Sequence, residues 1–205
     1  MKLIRHIVFF AVAASMSSTS AQRLPAIDPD DYTEEQMQAA ADFEAARNRP
    51  ISGPFVLMMH SPAVMSRARA FGDYLRFNSA IGNTLSELAI LITAREWTQD
   101  YEWYAHYPIA LEVGIDREIA DAISEGRRPA GMSEDEEIVY DFSIELHRNR
   151  RVSDVTFQRA LDRFGSKGVI DLTGINGYYT FLAMQMNMAQ FPVPEDAVRL
   201  PRFPD

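Results

Sequence analysis

Three titratable side chains in the middle of this sequence are suited to moving protons. The first is Glu87, in a stretch from 85 to 94 whose only other polar residues are Ser86 and Thr93. A helix that is apolar on all sides is normally buried, and Glu87 has no basic residue three or four positions away to pair with. We therefore expect Glu87 to lie in the interior. There it either meets a partner from another element or is kept partly protonated by desolvation.

The other two side chains, Glu102 and His106, lie one turn apart on a second predicted helix. Their helix face continues with three apolar residues, Ile109, Ala110 and Val113. The face therefore points towards the core. Two acids and a histidine on buried faces of adjacent helices predict a proton-handling site. We expect His106 to act as the base, Glu102 as the orienting residue or acid, and Glu87 as a relay.

The start of this second helix supplies candidate substrate-binding residues. Gln99 lies beside the helix N-terminus, where backbone N–H groups can face an anion such as a substrate carboxylate. The alternative is that Thr98 or Asp100 simply caps the helix. Tyr101 and Trp103 belong to an aromatic group on the same helix. They form either a surface for an aromatic or lactone substrate, or part of the core or a subunit interface.

The segments that carry these residues resemble a known family. Residues 87–96 read E-L-A-I-L-I-T-A-R-E, residues 102–106 read E-W-Y-A-H, and A-L-E-V-G follows at 110–114. This pattern is similar to the carboxymuconolactone decarboxylase family, which includes the alkyl-hydroperoxidase D-like proteins. The likeness covers about 55–113. It also implies a place for His60, whose H-S-P segment resembles the family, as a substrate-binding residue. The alternative for His60 is a core or capping histidine.

The sequence departs from the peroxidase branch of that family at two positions. The motif of that branch is E-x-x-C-x-x-C-x-x-x-H. Its ends match Glu96 and His106, a further upstream glutamate matches Glu87, and its two cysteines fall on Gln99 and Glu102. The whole chain contains no cysteine. Because thiol peroxidases need a thiolate, the resemblance implies a cysteine-free member that cannot use that chemistry.

The predicted chemistry is proton transfer without a cofactor. Such a site suits decarboxylation of a carboxylated lactone, proton abstraction next to a carbonyl, or elimination. The resemblance implies the first of these, or a related lyase or isomerase step. We therefore predict a carboxymuconolactone decarboxylase-like lyase, decarboxylase or isomerase. Its substrate would be a small carboxylated lactone, keto or aromatic-derived compound.

Two other interpretations remain open at this point. Glu102 and His106, joined by Glu87 or His60, have the ligand types of a zinc, iron or manganese site. Alternatively, the same polar residues form a satisfied buried network that specifies helix packing in a protein without catalytic activity.

Composition sets the class of protein. The chain has 205 residues, 47% of them hydrophobic, which is enough for one domain with a full core. Its formal net charge of -9 argues against nucleic acid and anionic membrane surfaces as partners. The lack of cysteine excludes disulfides and thiolate metal sites.

Residues 1–21 resemble a secretory signal peptide. Lys2 and Arg5 form a basic start, 7–14 is an apolar run, and small residues lead to a plausible cleavage site after Ala21. The sequence therefore predicts a periplasmic or secreted protein with no membrane attachment after cleavage. The alternative is an uncleaved N-terminal anchor.

The remainder of the chain is predicted to be all-α. We expect an extended N-terminal arm at 22–32, a compact domain of about seven to nine helices at 33–191, and an extended tail at 192–205. Capping boxes predict helix starts at Thr33 and Ser133, and Gly165 predicts a helix boundary. We place a turn at 82–84 and His147 on the surface. No stretch shows strand alternation. The resemblance implies the alkyl-hydroperoxidase D-like fold and a homo-oligomer, a trimer or hexamer, with a small-molecule substrate.

Overall fold

The computed structural model describes residues 22–202, so the predicted signal peptide at 1–21 lies outside the described residues. This part of the chain is all-helical and contains no strand. Within it, no helix combines the length and apolar character needed to cross a bilayer. A 3₁₀ turn, Pro29–Asp31, precedes eight α-helices: α1 Glu34–Arg47, α2 Pro54–Met58, α3 Pro62–Phe77, α4 Gly82–Glu96, α5 Asp100–Glu112, α6 Arg117–Ser124, α7 Glu134–Asn149 and α8 Asp154–Ala189.

Local sequence signals set most of the helix ends. Thr33 is the N-cap of α1 and Ser133 is the N-cap of α7. Each forms a reciprocal capping box with the residue three positions later. Gly165 has φ 67° and ψ 176°, so α8 is kinked where the sequence predicts a helix boundary. The predicted turn at 82–84 is wrong, because these residues form the first turn of α4.

Helix α4 is the centre of the fold. It packs against α5, α7 and α8, and also contacts α3 and α6. Every residue from 86 to 95 is buried, as expected for a helix that is apolar on all sides. Because α4 is enclosed by helices, its one interior carboxylate, that of Glu87, needs partners from other elements.

Both ends of the described chain pack against the helical body. In the arm, the backbone N–H of Arg23 donates to the carbonyl of Ala189 at the end of α8. In the tail, the N–H of buried Leu200 donates to Asp100 Oδ1, and the Arg202 guanidinium pairs with the same carboxylate at 2.6 Å. The tail is therefore tied to the first residue of α5.

Candidate functional site

Glu87 meets two partners from other helices in the interior. Its Oε2 lies 2.7 Å from His106 Nδ1 on α5, and its Oε1 accepts a hydrogen bond from Arg76 Nε on α3 at 3.2 Å. The Glu87 side chain is fully buried. Of the two possibilities for a buried glutamate, the structure therefore shows the one with partners from other elements, a cation and a histidine ring.

His106 is held in one orientation by three neighbours. Because a carboxylate can only accept, we assign the proton on Nδ1 to the hydrogen bond with Glu87. Nε2 then faces Glu102 Oε2 at 3.5 Å. The imidazole and the Tyr179 ring form a T-shaped contact, with ring centroids 5.1 Å apart and planes at 88°. Glu87 is therefore the carboxylate that orients His106.

Glu102 is buried but has an unsatisfied oxygen. Its Oε1 has no hydrogen-bond partner among the described residues. Burial raises the pKa of Glu102 to about 7, against the opposing effects of His106 and Arg76. Near neutral pH this carboxyl is thus close to half protonated and can either give or take a proton.

A pocket of about 230 Å³ reaches these groups from the surface. Glu102 and His106 form part of its wall, whereas Glu87 lies behind them. The pocket therefore reaches Glu102 and His106 directly, and Glu87 contacts it only through His106 and Arg76. Three arginines also line the pocket, together with aromatic side chains: Arg47, Arg49, Arg76, Phe55, Tyr101, Tyr178 and Tyr179.

Two tyrosines of α8 shape the wall opposite α5. Burial raises the pKa of Tyr179 well above its ordinary value and also raises the pKa of Tyr178, so both remain neutral phenols. The Tyr178 ring lies against the backbone of α3 at Gly72, where a Cβ would come within 2.4 Å of the ring. Only a residue without a side chain leaves Tyr178 this position.

The predicted binding role of Gln99 is not what the structure shows. Gln99 is itself the N-cap of α5, and its Oε1 accepts from the N–H groups of Tyr101 at 2.6 Å and Glu102 at 3.4 Å. Its amide nitrogen donates to Asn187 at 2.9 Å. Its polar atoms are thus occupied, and it does not line the pocket; Tyr101 does. The alternative prediction, that Thr98 or Asp100 caps α5, is wrong because Gln99 occupies the N-cap position.

The structure does not bring Trp103 or His60 to the pocket. Trp103 is buried on another side of α5, where it lines a separate cavity and packs against Tyr107 with ring centroids 5.4 Å apart. His60 is exposed after α2, and its Nε2 is 2.9 Å from the carbonyl of Pro25 in the arm. His60 therefore attaches the arm and lies away from Glu102 and His106.

The site also contains Arg76, which was not predicted from the sequence. Nothing in α3 marks it, since this helix carries other arginines, Arg67 and Arg69. The available signal was in α4: Glu87 has no local basic partner, so a buried ionised Glu87 requires a cation from elsewhere. The sequence therefore indicates that Glu87 needs a cationic partner, but it does not indicate which residue supplies the cation.

The predicted surface position of His147 is wrong. The sequence predicts that it lies among arginines at the surface, but it is half-buried, and its Nε2 lies 3.0 Å from Thr93 Oγ1 on α4. Burial lowers its pKa. It belongs to a separate polar cluster with Asn176, away from the pocket.

The metal interpretation finds no ligand set within residues 22–202, where no three histidine or acidic side chains are grouped so as to hold an ion. The glutamate at the family motif's first position, Glu96, instead pairs with Arg148 at 2.6 Å outside the pocket.

Comparison with known proteins supports the architecture. No protein-family model and no curated protein matches the sequence. Solved structures do match, among them the alkylhydroperoxidase AhpD core of Ralstonia eutropha, an uncharacterized peroxidase-related protein. The likeness has a TM-score of 0.68, covers 85% of this chain and 93% of that chain, and has 14% sequence identity. As the sequence resemblance implied, this chain therefore has the alkyl-hydroperoxidase D-like fold.

Proposed function

We propose that the protein is an acid–base enzyme that uses Glu102, His106 and Glu87. The reaction is a lyase, decarboxylase or isomerase step on a small carboxylated lactone, keto or aromatic-derived compound. Proton transfer needs only these side chains, so no cofactor enters the proposed step. Arginines on the pocket wall favour an anionic substrate, and the pocket of about 230 Å³ favours a small one.

The observation that carries this proposal is the unsatisfied Oε1 of buried Glu102 beside the pocket. A purely structural polar network would satisfy its buried members, since an unpartnered buried oxygen costs stability. A carboxyl with a pKa of about 7 is suited to exchange protons with a bound molecule at neutral pH.

The geometry supports a division of roles that differs from the one we expected from sequence. Ionised Glu102 removes a proton from a substrate carbon next to a carbonyl, and the carbanion is held as an enolate. Neutral Glu102 returns the proton to the same or another carbon. His106 Nε2, 3.5 Å away, accepts or supplies the proton that Glu102 exchanges. Glu87 orients His106 through the hydrogen bond to Nδ1.

Variants at Glu102 and His106 test the proposal. We expect the wild-type protein to catalyse exchange of carbon-bound hydrogen for deuterium, followed by NMR in deuterium oxide, in at least one member of a panel of small lactones and keto acids. His106→Ala and Glu102→Gln should each lose it by about 100-fold or more, the usual contribution of a general acid or base.

The matched control is His60→Ala, which removes a histidine that lies outside the pocket. It should exchange at the wild-type rate. Full exchange by folded His106→Ala, or an equal loss in His60→Ala, would contradict the assignment. Circular dichroism of each variant separates loss of activity from loss of fold.

A further inference from the structure

Arg76 is placed to do more than neutralise Glu87. It lies on α3, lines the pocket, and its side chain is only 21% exposed. A guanidinium has five N–H groups, and Arg76 uses the one on Nε for Glu87. Its two terminal nitrogens make no hydrogen bond to any residue between 22 and 202. The pocket therefore contains a largely buried cation whose outer donors have no acceptor in the part of the chain that the structure describes.

The other two arginines of the pocket differ from Arg76. Arg47 is paired with Asp73 at 2.7 Å, and its guanidinium lies over the ring of Phe55 at 4.5 Å. Arg49 is exposed, and its one hydrogen bond to a described residue goes to the hydroxyl of Ser52. Arg76 also lies over an aromatic ring, that of Phe77 at 5.3 Å. It is nevertheless the arginine of this pocket that is largely buried while both of its terminal nitrogens have no hydrogen-bond partner among residues 22–202.

The position of Arg76 relative to the acid also matters. Its charge lowers the pKa of Glu102, which places the two groups within electrostatic reach of each other. Arg76 and Glu102 also line the same pocket, so an oxygen held by Arg76 would share that pocket with the carboxyl that exchanges the proton. A donor fork next to a base is the arrangement that stabilises negative charge as a proton leaves carbon.

We propose that the terminal N–H groups of Arg76 bind the carbonyl or carboxylate oxygen next to the reacting carbon and stabilise the enolate that forms there. The planar fork suits two oxygens in one plane, as in a 2-keto acid or its enolate. When Glu102 takes the proton, the C–H electron pair forms the C=C bond of the enolate and the C=O π pair moves onto this oxygen. Both shifts reverse when the proton returns to carbon. This inference rests on the proposed acid–base function and adds a residue and a substrate class to it.

Oxalate is a suitable probe because it is planar and its oxygens are arranged like those of the enolate of a 2-keto acid. It also has no hydrogen on carbon that could exchange. Isothermal titration calorimetry should show that it binds the wild-type protein. Arg76→Met should weaken binding on the order of 10-fold or more, as expected for loss of a charge-assisted hydrogen bond. Arg76→Lys should lie between the two, because it keeps the charge and loses the fork.

Two matched controls separate contact with the anion from a structural role. Arg67→Met removes the same charge from an exposed position of α3 outside the pocket and should change affinity by no more than about two-fold, since the charge is screened. Glu87→Gln removes the internal partner of Arg76 and should keep or strengthen oxalate binding. Unaltered binding in Arg76→Met, or equal losses in Arg76→Met and Glu87→Gln, would overturn the proposal, as would a wild-type protein that binds no oxalate.

This test can fail separately from that of the proposed function, because oxalate binding does not require turnover. If Arg76→Met binds oxalate normally while Glu102→Gln loses hydrogen exchange, the role of Arg76 is wrong and the acid–base function remains. If Arg76→Met loses oxalate and His106→Ala exchanges at the full rate, the anion contact remains and the acid–base function is wrong.

Discussion

At the scale of single residues, the environment of Glu102 decides the chemistry. Glu102 and Glu87 are both buried glutamates, yet only Glu87 has a cation and a ring N–H on its oxygens. Glu102 keeps one oxygen without a partner and has a pKa of about 7. Two like residues in one site therefore have different environments, and such a difference allows two carboxyl groups to have separate roles in the proposed acid–base chemistry.

The raised pKa of Glu102 predicts how stability depends on pH. A carboxyl whose pKa is higher in the folded than in the unfolded state binds more protons when folded, so its effect is to lower stability as pH rises from about 4.5 to 7. We expect the free energy of unfolding of Glu102→Gln, measured by urea denaturation at pH 8, to exceed that of the wild type by about 3 kcal/mol. The difference should shrink at pH 5, and an equal difference at both pH values would contradict the prediction.

The same group predicts a pH profile for hydrogen exchange. Because ionised Glu102 is the proposed base, the exchange rate should rise with pH and level off above about 7. Glu102→Asp keeps the carboxylate, so it should retain the rise with a lower plateau, whereas the residual rate of Glu102→Gln should lack it. A profile that is flat in the wild type between pH 5 and 9 would exclude Glu102 as the base.

At the scale of elements, the contact between α3 and α8 shapes the pocket. Gly72 of α3 allows the Tyr178 ring to lie against the helix backbone, while Arg76 follows one turn later on the same helix. Tyr178 in turn packs edge-on against Phe71 and Tyr179, with ring centroids 5.8 Å and 5.3 Å away. One helix–helix contact therefore fixes both the aromatic wall and the placement of the guanidinium.

Gly72→Ala tests that contact. Its methyl group would lie within 2.4 Å of the Tyr178 ring, so the ring must move. We expect a loss of about 1–3 kcal/mol in the free energy of unfolding, as for other overpacked sites. Oxalate binding should also weaken, because Tyr178 lines the pocket. Gly177→Ala on α8 is a suitable control, because the space around its Cβ is open; an equal loss there would contradict the explanation.

At the scale of the whole molecule, α3 and α8 leave large apolar side chains in solvent. The exposed fraction is 65% for Phe77 and 70% for Ile170, and it is about half for Phe71, Met184 and Met188. A group of exposed apolar side chains is typical of an interaction surface. It fits the homo-oligomer, a trimer or hexamer, that we propose on the basis of the family resemblance.

Ile170→Glu tests this assembly. A charge placed in an apolar subunit interface should shift the mass measured by light scattering after size-exclusion chromatography towards the 23.2 kDa monomer. A control substitution, Val198→Glu in the tail, affects an equally exposed apolar residue outside α3 and α8 and should leave the mass unchanged. A wild-type protein that is monomeric at all concentrations would contradict the assembly.

The sequence by itself determined the helical architecture and which residues of α4 and α5 enter the core. Helix periodicity, capping boxes and glycine positions are local signals, so they place Thr33, Ser133 and Gly165 correctly. Burial of Glu87, Glu102 and His106 follows from the apolar residues that share their helix faces. The substrate-binding roles expected of Gln99 and Trp103 could not be decided from the sequence, because a residue beside a helix start can cap it, bind a ligand or pack.

Only the tertiary structure decided which groups meet. Arg76 reaches Glu87 from another helix, and His106 turns its Nδ1 to Glu87 and only its Nε2 to Glu102. Glu102 lines the pocket without a partner for Oε1 as a result. These contacts depend on how helices pack around α4, and side-chain spacing along one helix carries no information about the partners that a neighbouring helix supplies.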